Sequence, residues 1–168
     1  MHDAAMKFTL DAYSEWSRAK EPPRILEIGS FNINGSARQI LEPVAESYWG
    51  IDVQDGPGVD EVVDAVEYIW PDRYDVIVCN EVFEHTPHYA KIINNAAKSL
   101  SVNGIFIATM AGEGRPPHSA LDENPIRPWE WYRNIGWWEL NQIMGENFAE
   151  HEVKQNGTDL YCWGLKRG

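Results

Sequence analysis

The sequence predicts an α/β fold built on a mostly parallel sheet, and three observations predict it. Strand and helix patterns alternate from residue 24 to residue 109, which right-handed crossovers assemble into parallel strands. Residues 74–79 (YDVIVC) are a near-continuous apolar run, as a central strand covered on both faces requires. Residues 24–36 (RILEIGSFNINGS) pass from a strand through a glycine turn to a helix start, and Asp52 closes the next apolar strand, YWGID. Such a turn followed by a strand-end carboxylate is a Rossmann-like device that holds an adenosyl group.

Each element follows from a local signal. Met6, Leu10, Tyr13 and Trp16 recur at helical spacing and predict an amphipathic helix over 3–19. Pro22 and Pro23 end it, and the first strand covers 24–28. Ser36 and Gln39 form a capping box, predicting a helix over 37–46. A second strand at 47–53, the turn QDGPG at 54–58 and a short third strand at 59–63 follow. The apolar run at 74–79 is the fourth strand. Thr86 caps the next helix with Pro87 at its first position. Its buried stripe is Tyr89, Ile92, Ile93, Ala96, Ala97 and Leu100. Asn103–Gly104 stops it before a strand at 105–109. Residues 110–128 are rich in glycine and proline and too long for an idle connection. A helix at 137–144 precedes two strand patterns, 148–154 and 160–165, that flank Asn156–Gly157. That dipeptide is a strong hairpin signal. No repeat, low-complexity segment or second domain is visible, so residues 1–168 read as one domain with residues 1–22 as a helix packed on its core.

Composition narrows the function. The net charge is −12, with 14 basic and 26 acidic residues, which repels a phosphate backbone and excludes duplex nucleic acid as the expected partner. No apolar run approaches the roughly 20 residues that span a bilayer. The N-terminus mixes acids into its apolar positions and is no signal peptide. A cytoplasmic protein without a membrane partner is expected. Cys79 and Cys162 each lie in an apolar run and are expected as buried free thiols. No Cys/His spacing matches a zinc site, so no metal is expected.

The glycine turn discriminates further. Counted from Gly29, a dinucleotide turn needs glycines at 31 and 34, where this chain has Phe31 and Asn34. A phenylalanine obstructs the close backbone approach that a pyrophosphate demands. The turn suits an adenosine-bearing ligand without a pyrophosphate.

Four segments in fixed order, LEIGSFNINGS (26–36), GIDV (50–53), DVIVCNEVFEH (75–85) and LSVNGIFIAT (100–109), resemble the class I S-adenosylmethionine-dependent methyltransferases, in the small single-domain, type 11/12-like branch. The resemblance implies a doubly wound, seven-stranded, mostly parallel sheet in the order 3-2-1-4-5-7-6 with strand 7 antiparallel. It implies S-adenosylmethionine as cofactor and makes 110–138 a variable loop or lid on the acceptor side. One departure stands out: Ser30, Phe31, Asn32 and Ile33 separate Gly29 from Gly35, so the turn is wider and bulkier than the family's common form.

The resemblance also assigns residues. Glu27, Gly29, Ser30 and Gly35 surround the methionyl moiety, with Glu27 either orienting the ammonium group or capping loop amides. Asp52, with Val53 beside it, is placed to accept both ribose hydroxyls. Asp64 and Ala65 face the adenine, and the backbone of Asn80 and Glu81 frames the methyl group. His85 and His118 are candidate proton acceptors, each with a structural alternative. The stretch PPH…WYRN is similar to an H…P…DYWRFT-like pattern and makes Trp131, Tyr132 and Arg133 candidates for acceptor binding. With Trp129, Trp137 and Trp138 they form either an aromatic wall around the acceptor or a lid packed on the sheet edge. The expected reaction is methyl transfer to a small-molecule acceptor, at oxygen or nitrogen before carbon. Two alternatives stay open: a non-catalytic binding module on the same scaffold, and a nicotinamide oxidoreductase. Phe31 and the absence of a Tyr-x-x-x-Lys pair after the fourth strand argue against the latter. Oligomeric state is not legible.

Overall fold

The computed structural model describes residues 3–17, 21–68, 74–122 and 124–166. Seven strands form one sheet: β1 (Arg24–Ile28), β2 (Ser47–Asp52), β3 (Glu61–Val62), β4 (Tyr74–Asn80), β5 (Leu100–Ala111), β6 (Glu150–Asn156) and β7 (Asp159–Leu165). Among the described residues, four α-helices accompany it: α1 (Asp3–Trp16), α2 (Arg38–Leu41), α3 (Tyr89–Ser99) and α4 (Trp137–Asn147). The strand order is β3-β2-β1-β4-β5-β7-β6. β1 pairs in parallel with β2 and β4, β2 with β3, and β4 with β5, while β7 runs antiparallel to β5 and β6. This is the order, with its one reversed strand, that the family resemblance implies.

Successive side chains on a strand point to opposite faces, and here both faces are covered. Ile25, Val76, Val78, Ile105 and Ile107 pack with Tyr13 of α1 and with Ala37 and Leu41 at α2. Their neighbours in sequence, including Leu26, Ile77, Cys79 and Phe106, pack with Ile93 and Ala96 of α3 and Leu140 and Met144 of α4. The central strands are apolar throughout for this reason. Phe106 stacks on Phe148 with ring centroids 5.6 Å apart. Cys79 and Cys162 are free and buried. Among the described residues, no helix is long and apolar enough to cross a membrane.

Several elements differ from their sequence patterns. The buried face of α1 is Ala5, Thr9 and Tyr13, while Leu10 remains 42% exposed. Small side chains let this helix lie close to the sheet, where Thr9 accepts a hydrogen bond from Asn80 Nδ2 at 3.2 Å. The predicted helix over 37–46 is only Arg38–Leu41 followed by a 3-10 turn, Glu42–Val44. Pro43 has no N–H to continue the ladder. Ser36 Oγ accepts from the Arg38 N–H at 3.1 Å, not from Gln39, and donates its own proton to Glu27, so the predicted capping box does not form. Thr86 accepts from the His88 N–H at 3.1 Å in a turn that precedes the helix. α3 begins at Tyr89 with His88 as its N-cap and no side-chain cap, so Thr86 and Pro87 lie ahead of the helix and do not open it. In the hairpin, Asn156 pairs with Asp159, which makes Gly157 and Thr158 the two loop residues.

Candidate functional site

The carboxyl ends of β1, β2 and β4 open onto a cavity of about 410 Å³, at the edge where open α/β sheets bind ligands. That volume is within the range of small-molecule sites. The wide loop after β1 forms one wall and is tied to β2. The amides of Gly29 and Ser30 donate to the Ile51 carbonyl at 2.9 and 3.1 Å, and the Asn32 amide donates to Pro57 O at 2.8 Å. Asn32 Oδ1 in turn accepts the Gly35 amide at 2.8 Å. Phe31 turns its ring onto the 54–58 turn: a Cβ added at Gly56 would lie 2.2 Å from Phe31 Cε2. The bulky residue of the variant loop is thus accommodated by the glycine opposite it.

Asp52 ends β2 at the cavity wall. Its Oδ2 accepts the Phe31 amide at 3.1 Å and its Oδ1 accepts the Gln54 amide at 3.0 Å. Each oxygen keeps a second acceptor direction. Burial pushes this carboxyl up, against the pull of the backbone amides. Asp64 uses Oδ1 to accept the Val66 amide at 2.8 Å, and Ala65 beside it is buried. Asn80 Oδ1 accepts from Thr109 Oγ1 at 3.2 Å, which also lies 2.8 Å from Glu81 Oε1. Glu81 holds a left-handed backbone at φ 56°, a conformation that costs a non-glycine residue about 1 kcal/mol or more.

Glu27 is buried, and its carboxyl is fully engaged by the chain. Ser36 Oγ donates to it at 2.9 Å, the Ala37 amide at 3.1 Å and Tyr48 Oη at 2.8 Å. Tyr48 is held from its other face by the Arg38 guanidinium, 4.6 Å from the ring centroid. Glu27 therefore ties the loop and the start of α2 to β2, the capping role. Burial outweighs these donors and pushes its pKa up to about 7. Between about 4.5, its ordinary value, and about 7 the folded state binds the extra proton. This contribution to stability is expected to decline as pH rises through that window and to be gone above it. Urea unfolding of wild type and Glu27→Gln at pH 5 and pH 8 checks this: wild type should lose stability relative to the variant at the higher pH. An unchanged difference would refute it.

At the far end of the cavity three rings meet edge to face. His85 and His118 have centroids 5.0 Å apart, and Tyr132 stands 5.4 Å from His85 and 5.1 Å from His118. Burial, with His118 beside it, pulls the His85 pKa down to about 4, so its ring is neutral near pH 7. His118 Nδ1 lies 3.2 Å from the Pro116 carbonyl, which assigns the proton to Nδ1 and the lone pair to Nε2. Glu84 is fully buried behind the rings, with Oε1 accepting the Ala111 amide at 3.0 Å. Burial and then the charge of Glu81 raise its pKa above the ordinary carboxylate range.

The long segment after β5 is knitted into an ordered cover. Arg115 pairs with Asp159, the Ile135 amide donates to Ala111 O at 3.0 Å, and the Arg133 amide donates to Glu84 O at 2.8 Å. Ser119 Oγ donates to Glu130 Oε1 at 2.6 Å and holds the loop tip closed. This places His118, Ser119 and Ala120 on the cavity wall.

Of the residues singled out in the sequence, Glu27, Gly29, Gly35, Asp52, Val53, Asp64, Ala65, Asn80, Glu81, His85 and His118 all line this cavity. Ser30 does not. It is buried toward β2, where its Oγ lies 2.7 Å from the position of a Cβ added at Gly50. Trp131, Tyr132 and Arg133 are also off the cavity lining. Tyr132 reaches it only through the two histidines. The Arg133 guanidinium bonds Glu139 at 2.7 Å and Tyr89 Oη at 3.2 Å, and Trp131 faces solvent. Trp129 and Trp138 are 78% and 79% exposed, so they neither wall the cavity nor pack on the sheet. Sequence reasoning missed Ser119 and Glu84. The first carries no local signal, and the second reads as an ordinary acid beside a histidine.

The chain matches the methyltransferase domain family over residues 3–161. No curated protein matches it in sequence. Its fold is similar to that of the 1,6-didemethyltoxoflavin-N1-methyltransferase of Burkholderia thailandensis, solved with 1,6-didemethyltoxoflavin and S-adenosylhomocysteine. That similarity has a TM-score of 0.73 at 14% identity, covering 99% of this chain and 80% of the other. The N-methyltransferase NodS of Bradyrhizobium japonicum WM9, in complex with S-adenosylhomocysteine, gives 0.63 at 16% identity over 96% and 88% of the two chains. The magnesium protoporphyrin IX methyltransferase of Synechocystis PCC 6803 gives 0.64 at 13% identity over 97% and 84%. A family match running from α1 into β7, on a sheet of this order, makes the chain a member of the methyltransferase domain family, with the fold of class I S-adenosylmethionine-dependent methyltransferases.

Proposed function

We propose that this protein transfers a methyl group from S-adenosylmethionine to an oxygen or nitrogen atom of a small molecule. The observation that carries the reading is the charge of the cavity. Glu27, Asp52, Asp64 and Glu81 line it, and no lysine or arginine is among its described lining residues. Phosphate-bearing ligands are disfavoured there, whereas a sulfonium and an ammonium group are complemented. When bound, the cofactor supplies a methyl on a positively charged sulfur that leaves as a neutral thioether.

The chain's own residues bind, orient and shield. Asp52 accepts the two ribose hydroxyls on its remaining lone pairs, and Asp64 with Ala65 borders the adenine. Gly29 and Gly35 bring backbone close to the amino-acid part, on a loop that Glu27 holds in place. Asn80 and Glu81, fixed by Thr9 and Thr109, frame the reacting carbon. On the acceptor side, His118 presents the Nε2 lone pair that takes the acceptor's proton. His85 packs against it as a neutral ring, and Tyr132 orients both. Arg133 anchors the cover to α3, and Trp131 marks its outer surface. Catalysis in this arrangement is chiefly a matter of position.

Calorimetric titration tests the reading. S-adenosylhomocysteine is expected to bind one per chain, and at about 100 times its dissociation constant to stabilise the fold by about 2.7 kcal/mol. NADH is expected not to bind. Binding of NADH with no response to millimolar S-adenosylhomocysteine would sink it.

A further inference from the structure

We propose that Glu84, His85 and His118 form a binding site for a divalent transition-metal cation at the acceptor end of the cavity. One ligand atom from each of the three side chains lies within 4.8 Å of the other two. Two imidazoles and one carboxylate are a donor set suited to zinc, manganese, iron(II) or cobalt.

Two orphaned polar atoms point to the ion independently of that spacing. Glu84 Oε2 and His85 Nδ1 are both buried without a hydrogen-bond partner, although Glu84 is 0% exposed. Buried polar atoms left unpaired are costly and rare in folded proteins. The nearby guanidinium groups do not serve them: Arg115 is paired with Asp159 and Arg133 with Glu139. A cation between the rings and the carboxylate satisfies both atoms together.

The outer partners have the form that metal ligands require. Glu84 is oriented by the Ala111 amide on Oε1 at 3.0 Å, which leaves Oε2 for the ion. His118 has its Nδ1 against the Pro116 carbonyl at 3.2 Å, which directs Nε2 as the ligand. A histidine bonded to a carbonyl through its other nitrogen is the usual arrangement around a bound metal. Glu81 adds negative charge beside Glu84. Because His85 and His118 line the cavity, the remaining coordination positions face the acceptor.

The consequence for catalysis rests on the methyltransferase reading. An acceptor hydroxyl bound to the ion loses its proton to solvent more readily. Its oxygen pair then forms the bond to the methyl carbon as the carbon–sulfur bond breaks and its electrons remain on sulfur. With the ion present His118 is a ligand, the ion replaces it in activating the acceptor, and an oxygen acceptor is favoured over nitrogen.

The test uses the full chain stripped with chelator and titrated separately with Mn²⁺, Zn²⁺ and Co²⁺. One ion per chain is expected, with a Co²⁺ absorption spectrum showing nitrogen and oxygen ligands. His118→Ala should weaken binding by more than the ~10–100-fold that losing an outer partner costs, and Glu84→Gln should do the same. His118 is on a surface loop, so its variant keeps the assay valid if the buried Glu84 variant does not fold. S-adenosylhomocysteine binding by the same samples is read in parallel. Metal binding without it keeps the metal site and overturns the methyltransferase reading; the reverse keeps that reading and overturns the metal site. Ion binding unchanged by His118→Ala, or no stoichiometric binding, overturns the inference.

Discussion

Asp52→Ala is expected to weaken S-adenosylhomocysteine binding by at least about 100-fold. The carboxylate offers one free lone-pair direction on each oxygen, because Phe31 and Gln54 amides occupy the others at 3.1 and 3.0 Å. Hydrogen bonds to a charged group contribute about 1.5–3 kcal/mol each, and each 1.4 kcal/mol is a factor of ten. A ligand concentration that stabilises wild type by about 2.7 kcal/mol would then stabilise the variant by no more than about 0.4 kcal/mol. The ligand-free variant should also lose about 1 kcal/mol, since two loop amides lose their acceptor. Asp52→Asn keeps one acceptor oxygen and should fall between the two. Calorimetry on all three proteins decides the matter, and an Asp52→Ala affinity equal to wild type would remove Asp52 from the site.

Gly29→Ala is expected to cost about 3 kcal/mol of stability and to lower the melting temperature by about 10 °C in a chain of this length. Two separate strains add. Gly29 sits at φ 75°, where a Cβ costs about 1–2 kcal/mol. That Cβ would also lie 2.2 Å from Val82 Cγ2, and overpacking of this kind costs about 1–3 kcal/mol. The double variant Gly29→Ala/Val82→Ala separates them, because truncating Val82 removes the collision and leaves the backbone strain. A cycle of urea unfolding measurements should therefore show a favourable coupling of about 1–3 kcal/mol. A single Gly29→Ala variant as stable as wild type would mean that the β1 turn has room the geometry denies.

Much of this was legible from the sequence, and the reason is locality. The run YDVIVC declares a strand covered on both faces because each of its side chains must be apolar whichever way it points. The glycine count after Gly29 excludes a pyrophosphate turn, and Asp52 announces itself by ending an apolar strand. Elsewhere the local signal was true but incomplete. Ser36 does accept the Arg38 amide, but Ala37 is the N-cap, the hydroxyl proton goes to Glu27 across the loop, and Pro43 ends the helix one turn after it starts. The spacing of Met6 and Leu10 suggested one face of α1, whereas closeness to Asn80 selected the face with Ala5 and Thr9. Tyr132 and Arg133 lie next to each other in the chain, but one stacks on the histidines and the other grips α3.

By itself, then, the sequence determined the α/β class, the course of the central strands and the glycine turn after the first strand, with Asp52 ending the second. These depend on residues within a few positions of one another, whose periodicity and backbone preferences need no partner. Only the tertiary structure decided that Phe31 turns onto Gly56, that Glu27 is held by the chain, and that Ser30 and Trp131 stand away from the cavity. It alone brought Glu84, His85 and His118 to one point. The first outcomes depend on how the loop after β1 packs on β2 and the 54–58 turn, the last on how the cover after β5 packs against the end of β4, and packing between distant segments leaves no trace in local spacing.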